Sequence, residues 1–147
     1  MGRPVGAAVP AGYDASMKVT LTIPTERPLV FKPVTREIAG VVASSGVREG
    51  TCTVFCPHTT AGLLINENAD PDVAMDLVAA YEALVPRISY RHREGNSPAH
   101  LLSCLTQPVL HLMVEDGVLR LGRWQGVFLC EFDGPRQRQL WVKVVAD

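Results

Sequence analysis

The chain has 147 residues, 47% of them hydrophobic and 20% charged, with a net charge of −1. One ordinary hydrophobic core fits that length, and the composition excludes disorder along the whole chain. With 14 Lys and Arg against 15 Asp and Glu, the charge gives no reason to expect a nucleic-acid or anionic-membrane partner.

No apolar run approaches the roughly 18 to 20 residues of a membrane-spanning helix, and Met1 to Gly6 lacks the apolar core of a signal peptide. Four cysteines are too few for a disulfide scaffold in a chain so rich in aliphatic residues. The expectation is a soluble, cytoplasmic protein.

Residues 1–16, rich in Gly, Ala and Pro, are expected to form a flexible extension before a single domain over 17–147. Met17 to Ile23 alternates with period two and predicts a strand. A helix is predicted from Thr35, with Ile38, Val41 and Val42 inward, ending before Gly46. Gly50 to Cys56 predicts a central strand, and Leu63 to Ile65 another. Asp70-Pro71-Asp72 is a capping carboxylate followed by proline, and opens a helix carrying Val73, Leu77, Tyr81, Leu84 and Val85. Ser97-Pro98 starts a shorter helix in the same way. From Pro108 onward the pattern is strand, with runs Val109–Val114, Val118–Leu121, Trp124–Phe132 and Leu140–Val145 separated by Gly-containing turns. The sum is an α+β fold, a mostly antiparallel β-sheet sandwich with two or three helices.

Polar residues in apolar surroundings mark the candidate site. His58, Thr59 and Thr60 interrupt an apolar region, and Asn66-Glu67-Asn68-Ala69-Asp70 follows the next strand; both also suit turns that satisfy only local backbone groups. Asp72 and Asp76 lie one helical turn apart on one face. His92 and His100 bracket the loop that carries Asn96. With His58 they would supply three nitrogens, the usual protein share of an open zinc site, although no fixed ligand spacing supports it. Cys52, Cys56 and His58 would share one strand face, yet buried thiols acting as small hydrophobes account for the cysteines equally. Glu131, between Cys130 and Phe132, needs solvent or a buried partner, with Arg136 and Arg138 as candidates. No P-loop, dinucleotide fingerprint or nucleophile elbow is present.

His58-Thr59-Thr60-Ala61-Gly62, Asn66 to Val73, Asp76-Leu77, His92, Gly95-Asn96-Ser97, Ala99-His100, Trp124-Gln125-Gly126 and Glu131 to Arg136 together resemble the YjbQ family over about residues 17 to 146. The resemblance implies a β-rich homotrimer and a thiamine-phosphate synthase activity, a transferase joining a pyrimidine diphosphate to a thiazole phosphate. It also implies a pocket with His58, Glu67, Asp76 and Asn96 as catalytic groups. Thr59, Thr60, Asn66, Trp124, Gln125, Arg123 and Arg136 would contact a phosphorylated small-molecule substrate, and His58, His92 and His100 would hold a divalent metal, zinc or magnesium. Arg123 stands where the family commonly has Thr, and could add a charge at the rim. Two other readings use the same residues: a metal-dependent hydrolase with Glu67 activating a zinc-bound water, and a non-catalytic small-molecule or metal-binding protein.

Overall fold

The computed structural model describes residues 16–147, so residues 1–15 of the expected extension lie outside the described residues. Eight strands and three helices follow in the order β1 (Ser16–Pro24), β2 (Val30–Pro33), α1 (Thr35–Ser45), β3 (Gly50–Phe55), β4 (Ala61–Glu67), α2 (Pro71–Ala83), α3 (Ser97–Cys104), β5 (Val109–Glu115), β6 (Val118–Arg120), β7 (Gln125–Glu131) and β8 (Gln137–Ala146). The strands form a five-stranded sheet, β1-β8-β3-β5-β6, and a three-stranded sheet, β2-β7-β4. Every strand pair is antiparallel. This is the α+β architecture that the alternation and short turns predict.

The period of each strand decides which layer it joins. Alternate residues of β3, β5 and β8 (Cys52, Val54, Leu110, Leu112, Leu140, Val142, Val144) point inward against Leu63, Val127 and Leu129 of the small sheet, and α1 adds Ile38, Val41 and Val42 to the same core. Gly46, left-handed at φ 69°, closes α1 where a side chain would be strained. The opposite face of the small sheet offers Phe31, Phe128 and Cys130 to Ala99 and Leu102 of α3 and to Leu77, Val78 and Tyr81 of α2. Strand β7 is therefore covered on both faces, and Gly126 to Glu131 are all buried. Its near-continuous apolar run reflects that position.

Two expectations about elements need correction. The four-residue β2, which pairs with β7, was not predicted. It is short, sits at a sheet edge and ends in Pro33, so too little alternation is left to see. Helix α2 has the predicted start, with the Asp70 carboxylate accepting the Asp72 N–H at 2.9 Å, but it has no fully buried residue. Leu84, read as following at helical spacing, is the C-cap beyond Ala83 and is exposed.

Candidate functional site

The site lies where the two sheets meet at the β7 C-terminus. Strand β7 delivers Glu131 to the inter-sheet face, and β8 delivers Arg138 on the same parity as Leu140, Val142 and Val144. Both are buried. The Arg138 Nε donates to Glu131 Oε2 at 2.8 Å and its Nη2 to Oε1 at 2.5 Å. Thr25 donates to the second carboxylate oxygen at 2.7 Å, and the Asp133 N–H donates to the first at 2.9 Å. Burial opposes ionisation of Glu131, but these donors outweigh it and hold the carboxyl below its usual value. Arg138 also donates through Nη2 to the Thr60 hydroxyl at 2.8 Å, fixing the loop after β3 to β8. Its Nη1 meets no protein acceptor among the described residues.

A cavity of about 460 Å³ opens against this pair, lined by His58, Thr59, Thr60, His92, Glu94, Asn96, His100, Asp133, Arg136 and Arg138, with Pro57 at its edge. Asp133 follows β7 directly and organises one wall. It accepts from Arg136 Nη2 at 3.0 Å and from Asn96 Nδ2 at 3.1 Å. Burial opposes its ionisation, and the Asn96 and Arg136 hydrogen bonds more than compensate, so its carboxyl is held low. Arg136 spends Nε on the Asp133 carbonyl at 2.7 Å, which leaves its Nη1 uncommitted as well. Asn96, the N-cap of α3, does not cap through its side chain; its Oδ1 is buried with no partner among the described residues. The start of α3 borders the cavity through Asn96 and His100; Pro98 has no N–H, and the Ala99 and His100 N–H groups both donate to the Asn96 carbonyl.

His58 is tied to the β8 backbone through Nε2, which lies 2.9 Å from the Gln139 nitrogen and 3.2 Å from the Gln139 carbonyl oxygen; it accepts from the first or donates to the second according to the ring tautomer. Burial, and then the positive charge of Arg138, lower its pKa below the ordinary 6.5. His92 and His100 stand edge to face, with ring centroids 5.6 Å apart.

A second cavity, of about 440 Å³, adjoins the first and shares His58, Thr59 and His100 with it; Ala61, Ser103, Cys104, Thr106 and Pro108 complete its lining. Ser103 donates to the Ala61 carbonyl at 2.9 Å and Thr106 to the Ser103 carbonyl at 2.7 Å. Gly62 is required beside it, because a Cβ there would overlap the Thr106 hydroxyl.

The structure divides the sequence-predicted residues into two groups. His58, Thr59, Thr60, His92, Asn96, His100 and Arg136 line the first cavity. Asn66, Glu67, Gln125, Trp124 and Arg123 lie at the other end of the β4–β7 ladder, where Glu67 faces Gln125 while Ala61 faces Glu131. At the strand rise, the two ends are roughly 20 Å apart. There Gln125 accepts the Gly122 N–H at 2.8 Å and Arg123 stacks 5.0 Å from the Trp124 ring centroid. Asp76 is exposed on α2. Sequence reasoning missed Asp133 as a site residue, and took Arg138 only as a candidate partner of Glu131. It also missed Ser103, Cys104, Thr106 and Pro108. For Arg138 the strand parity of β8 was an available signal. For the second-cavity residues there was none, because α3 and the loop after it reach the site only through tertiary packing.

The fold and this cavity define a small α+β protein with a histidine- and arginine-lined pocket at one end of a two-sheet sandwich. The chain belongs to the YjbQ/UPF0047 family, whose profile, described as UPF0047 protein YjbQ-like, matches residues 19–147. It is 42% identical to the UPF0047 protein YugU of Bacillus subtilis, over 88% of this chain and 99% of that one. Against the UPF0047 protein MJ1081 of Methanocaldococcus jannaschii it is 43% identical, over 78% and 83% of the two chains. A crystal structure from Clostridium acetobutylicum superposes with a TM-score of 0.83 at 42% identity, covering 86% of this chain and 99% of that one. One from Sulfolobus solfataricus superposes with a TM-score of 0.83 at 27% identity, covering 90% and 98%.

These findings overturn the expected function. The relatives are described only as UPF0047 proteins, and the two structures as an uncharacterized conserved protein and a protein of unknown function. Membership therefore carries no thiamine-phosphate synthase or transferase activity. The metal expectation fails on geometry: among the described residues no three of His, Cys, Asp and Glu come together as a ligand set. Cys52 and Cys56 are buried thiols whose pKa is pushed up to about 11 by burial, which disfavours the thiolate a metal needs. The zinc or magnesium site, the metal-dependent hydrolase and the metal-binding reading fall together.

Proposed function

We propose that the chain binds a phosphorylated small molecule in the first cavity, with His92 and His100 placed to exchange a proton with it. The observation that carries this reading is the pair of guanidinium groups, Arg136 and Arg138, lining one cavity with Nη1 uncommitted on both. Forked N–H donors match phosphate oxygens. The Thr59 and Thr60 hydroxyls add donors to the same cavity. Asp133 and Glu94 also line it, so recognition would rest on directed donors rather than on net positive charge. Asp133 is engaged by Arg136 and Asn96, and Glu94 is exposed.

The test is a phosphorus NMR titration of the protein with inorganic phosphate. Arg136→Ala should weaken binding about 10-fold or more, the loss of a charge-assisted hydrogen bond. Equal binding to native protein and variant, or no binding to native protein at millimolar phosphate, would overturn the reading.

The homotrimer that the resemblance implies belongs to this proposal. It is supported by the outer face of the large sheet, where Phe55 and Trp141 stack at 5.5 Å and remain 38% and 50% exposed. Light scattering should return three times the chain mass; a monomer would sink it. Placement in the cytoplasm is likewise proposed. Among the described residues no helix is long and apolar enough to cross a membrane, and all four cysteines are free thiols, as a reducing compartment favours.

A further inference from the structure

The two cavities differ in chemistry across a shared wall. The first presents guanidinium, imidazole and hydroxyl donors. The second is lined by no Asp, Glu, Lys or Arg, and its own hydroxyls are engaged: Ser103 and Thr106 both donate to backbone carbonyls. The rest of its lining is Ala61, Pro108 and Cys104, and its surface is largely apolar. A group entering there gains little by hydrogen bonding and gains by leaving water.

We infer that the ligand is bipartite: an organic phosphate ester whose phosphate sits between Arg136 and Arg138, and whose uncharged, largely apolar organic group passes between His58 and His100 into the second cavity. This rests on the phosphate reading above and adds the class of molecule that carries the phosphate. Inorganic phosphate or a highly charged polyphosphate would leave the second cavity unused. The wall is also specific, because His58 is locked by Gln139 on one side and His100 is held by α3 on the other. The ester oxygen would then lie between the two imidazoles.

Cys104 gives a direct readout of the second cavity. It is exposed, whereas Cys52, Cys56 and Cys130 are buried, so a small alkylating reagent such as iodoacetamide should modify Cys104 far faster than the other three. The rate is followed by mass spectrometry with inorganic phosphate, methyl phosphate or butyl phosphate present, and affinities are taken from the same phosphorus titration. Inorganic and methyl phosphate should leave the rate within about twofold. Butyl phosphate should slow it at least about fivefold and bind about 30-fold tighter than methyl phosphate, since it adds three methylenes and each one buried is worth about three- to fourfold. Cys104→Phe, which fills the cavity from an exposed position, should erase the difference between the butyl and methyl esters.

Butyl phosphate that binds no tighter than methyl phosphate, or that binds tighter without protecting Cys104, overturns the bipartite ligand while leaving the phosphate reading intact. Failure of all three phosphates to bind overturns both.

Discussion

The two ends of the β4–β7 ladder carry similar residue types in different physical states. At the cavity end, Glu131 is fully buried and takes hydrogen bonds from Arg138, Thr25 and the Asp133 amide. At the far end, Glu67 is only half-buried and its side chain makes no hydrogen bond among the described residues; its backbone N–H donates to the neighbouring Asn66 side chain at 2.7 Å. Trp124, the most conspicuous aromatic of the motif, is 57% exposed and sits beneath the guanidinium of Arg123. The lesson is that residue type and sequence order mark both ends equally. Only the second sheet, which brings Arg138 across from β8, turns one of them into a preorganised pocket.

The sharpest way to break this contrast is to remove the cross-sheet charge. Arg138→Met leaves the Glu131 carboxylate buried and unpaired, and should cost about 3–5 kcal/mol of stability by urea unfolding. The double variant Arg138→Met, Glu131→Met should recover most of that loss. A single variant as stable as the native protein would show that the pair does not hold the sheets together.

The next test is pH, and both shifts point the same way. Glu131 has a folded pKa below its unfolded value, so it stabilises the fold above the unfolded carboxylate value of about 4.3. That contribution is lost as pH falls through the lower folded value. His58 also has a folded pKa below the ordinary 6.5, so the unfolded chain takes up its proton first and stability declines as pH falls from there. Urea midpoints should therefore fall in two stages on acidification. His58→Gln, which keeps an acceptor for the Gln139 amide, should remove the upper stage; persistence of that stage would assign it to another group.

The smallest effects belong to the far end. Glu67→Ala and Trp124→Ala should leave stability within about 0.5 kcal/mol, since Trp124 is exposed and the Glu67 side chain makes no hydrogen bond among the described residues, and phosphate affinity within about twofold. A large loss of phosphate binding in either variant would mean that a neighbouring copy carries its far end to this cavity.

Much of the fold was legible in the sequence because its local signals agree with its tertiary environment. The alternation of Val19, Leu21 and Ile23, the Asp70-Pro71 helix start and the Gly46 stop each act over a few residues. The partition of strands into two sheets was not legible. Strand β7 reads as uniformly apolar because α2 and α3 cover one face and the large sheet covers the other. The site was legible as a list but not as a place. His58, Asn96 and His100 could be singled out by type, whereas the roughly 20 Å between the Ala61–Glu131 and Glu67–Gln125 ends of the ladder follows from strand register, which no spacing encodes. The zinc site failed for a related reason: residue type offered three histidines, but among the described residues no three ligand side chains come together, and His58 is tied instead to the backbone of Gln139, 81 residues further along the chain.

Arg138 serves two masters, the sandwich through Glu131 and the cavity through Nη1. Its replacement would be penalised even in a lineage that no longer needed its ligand. Arg136, by contrast, is exposed and tied to Asp133 by a bridge worth at most about 1 kcal/mol to the fold, and Cys104 lies free at the end of α3. Divergence of ligand preference among such proteins should therefore run through positions 136 and 104, with position 138 held constant by folding alone. An invariant arginine at 138 would be a poor guide to shared chemistry, and a variable residue at 104 a good guide to a changed substrate.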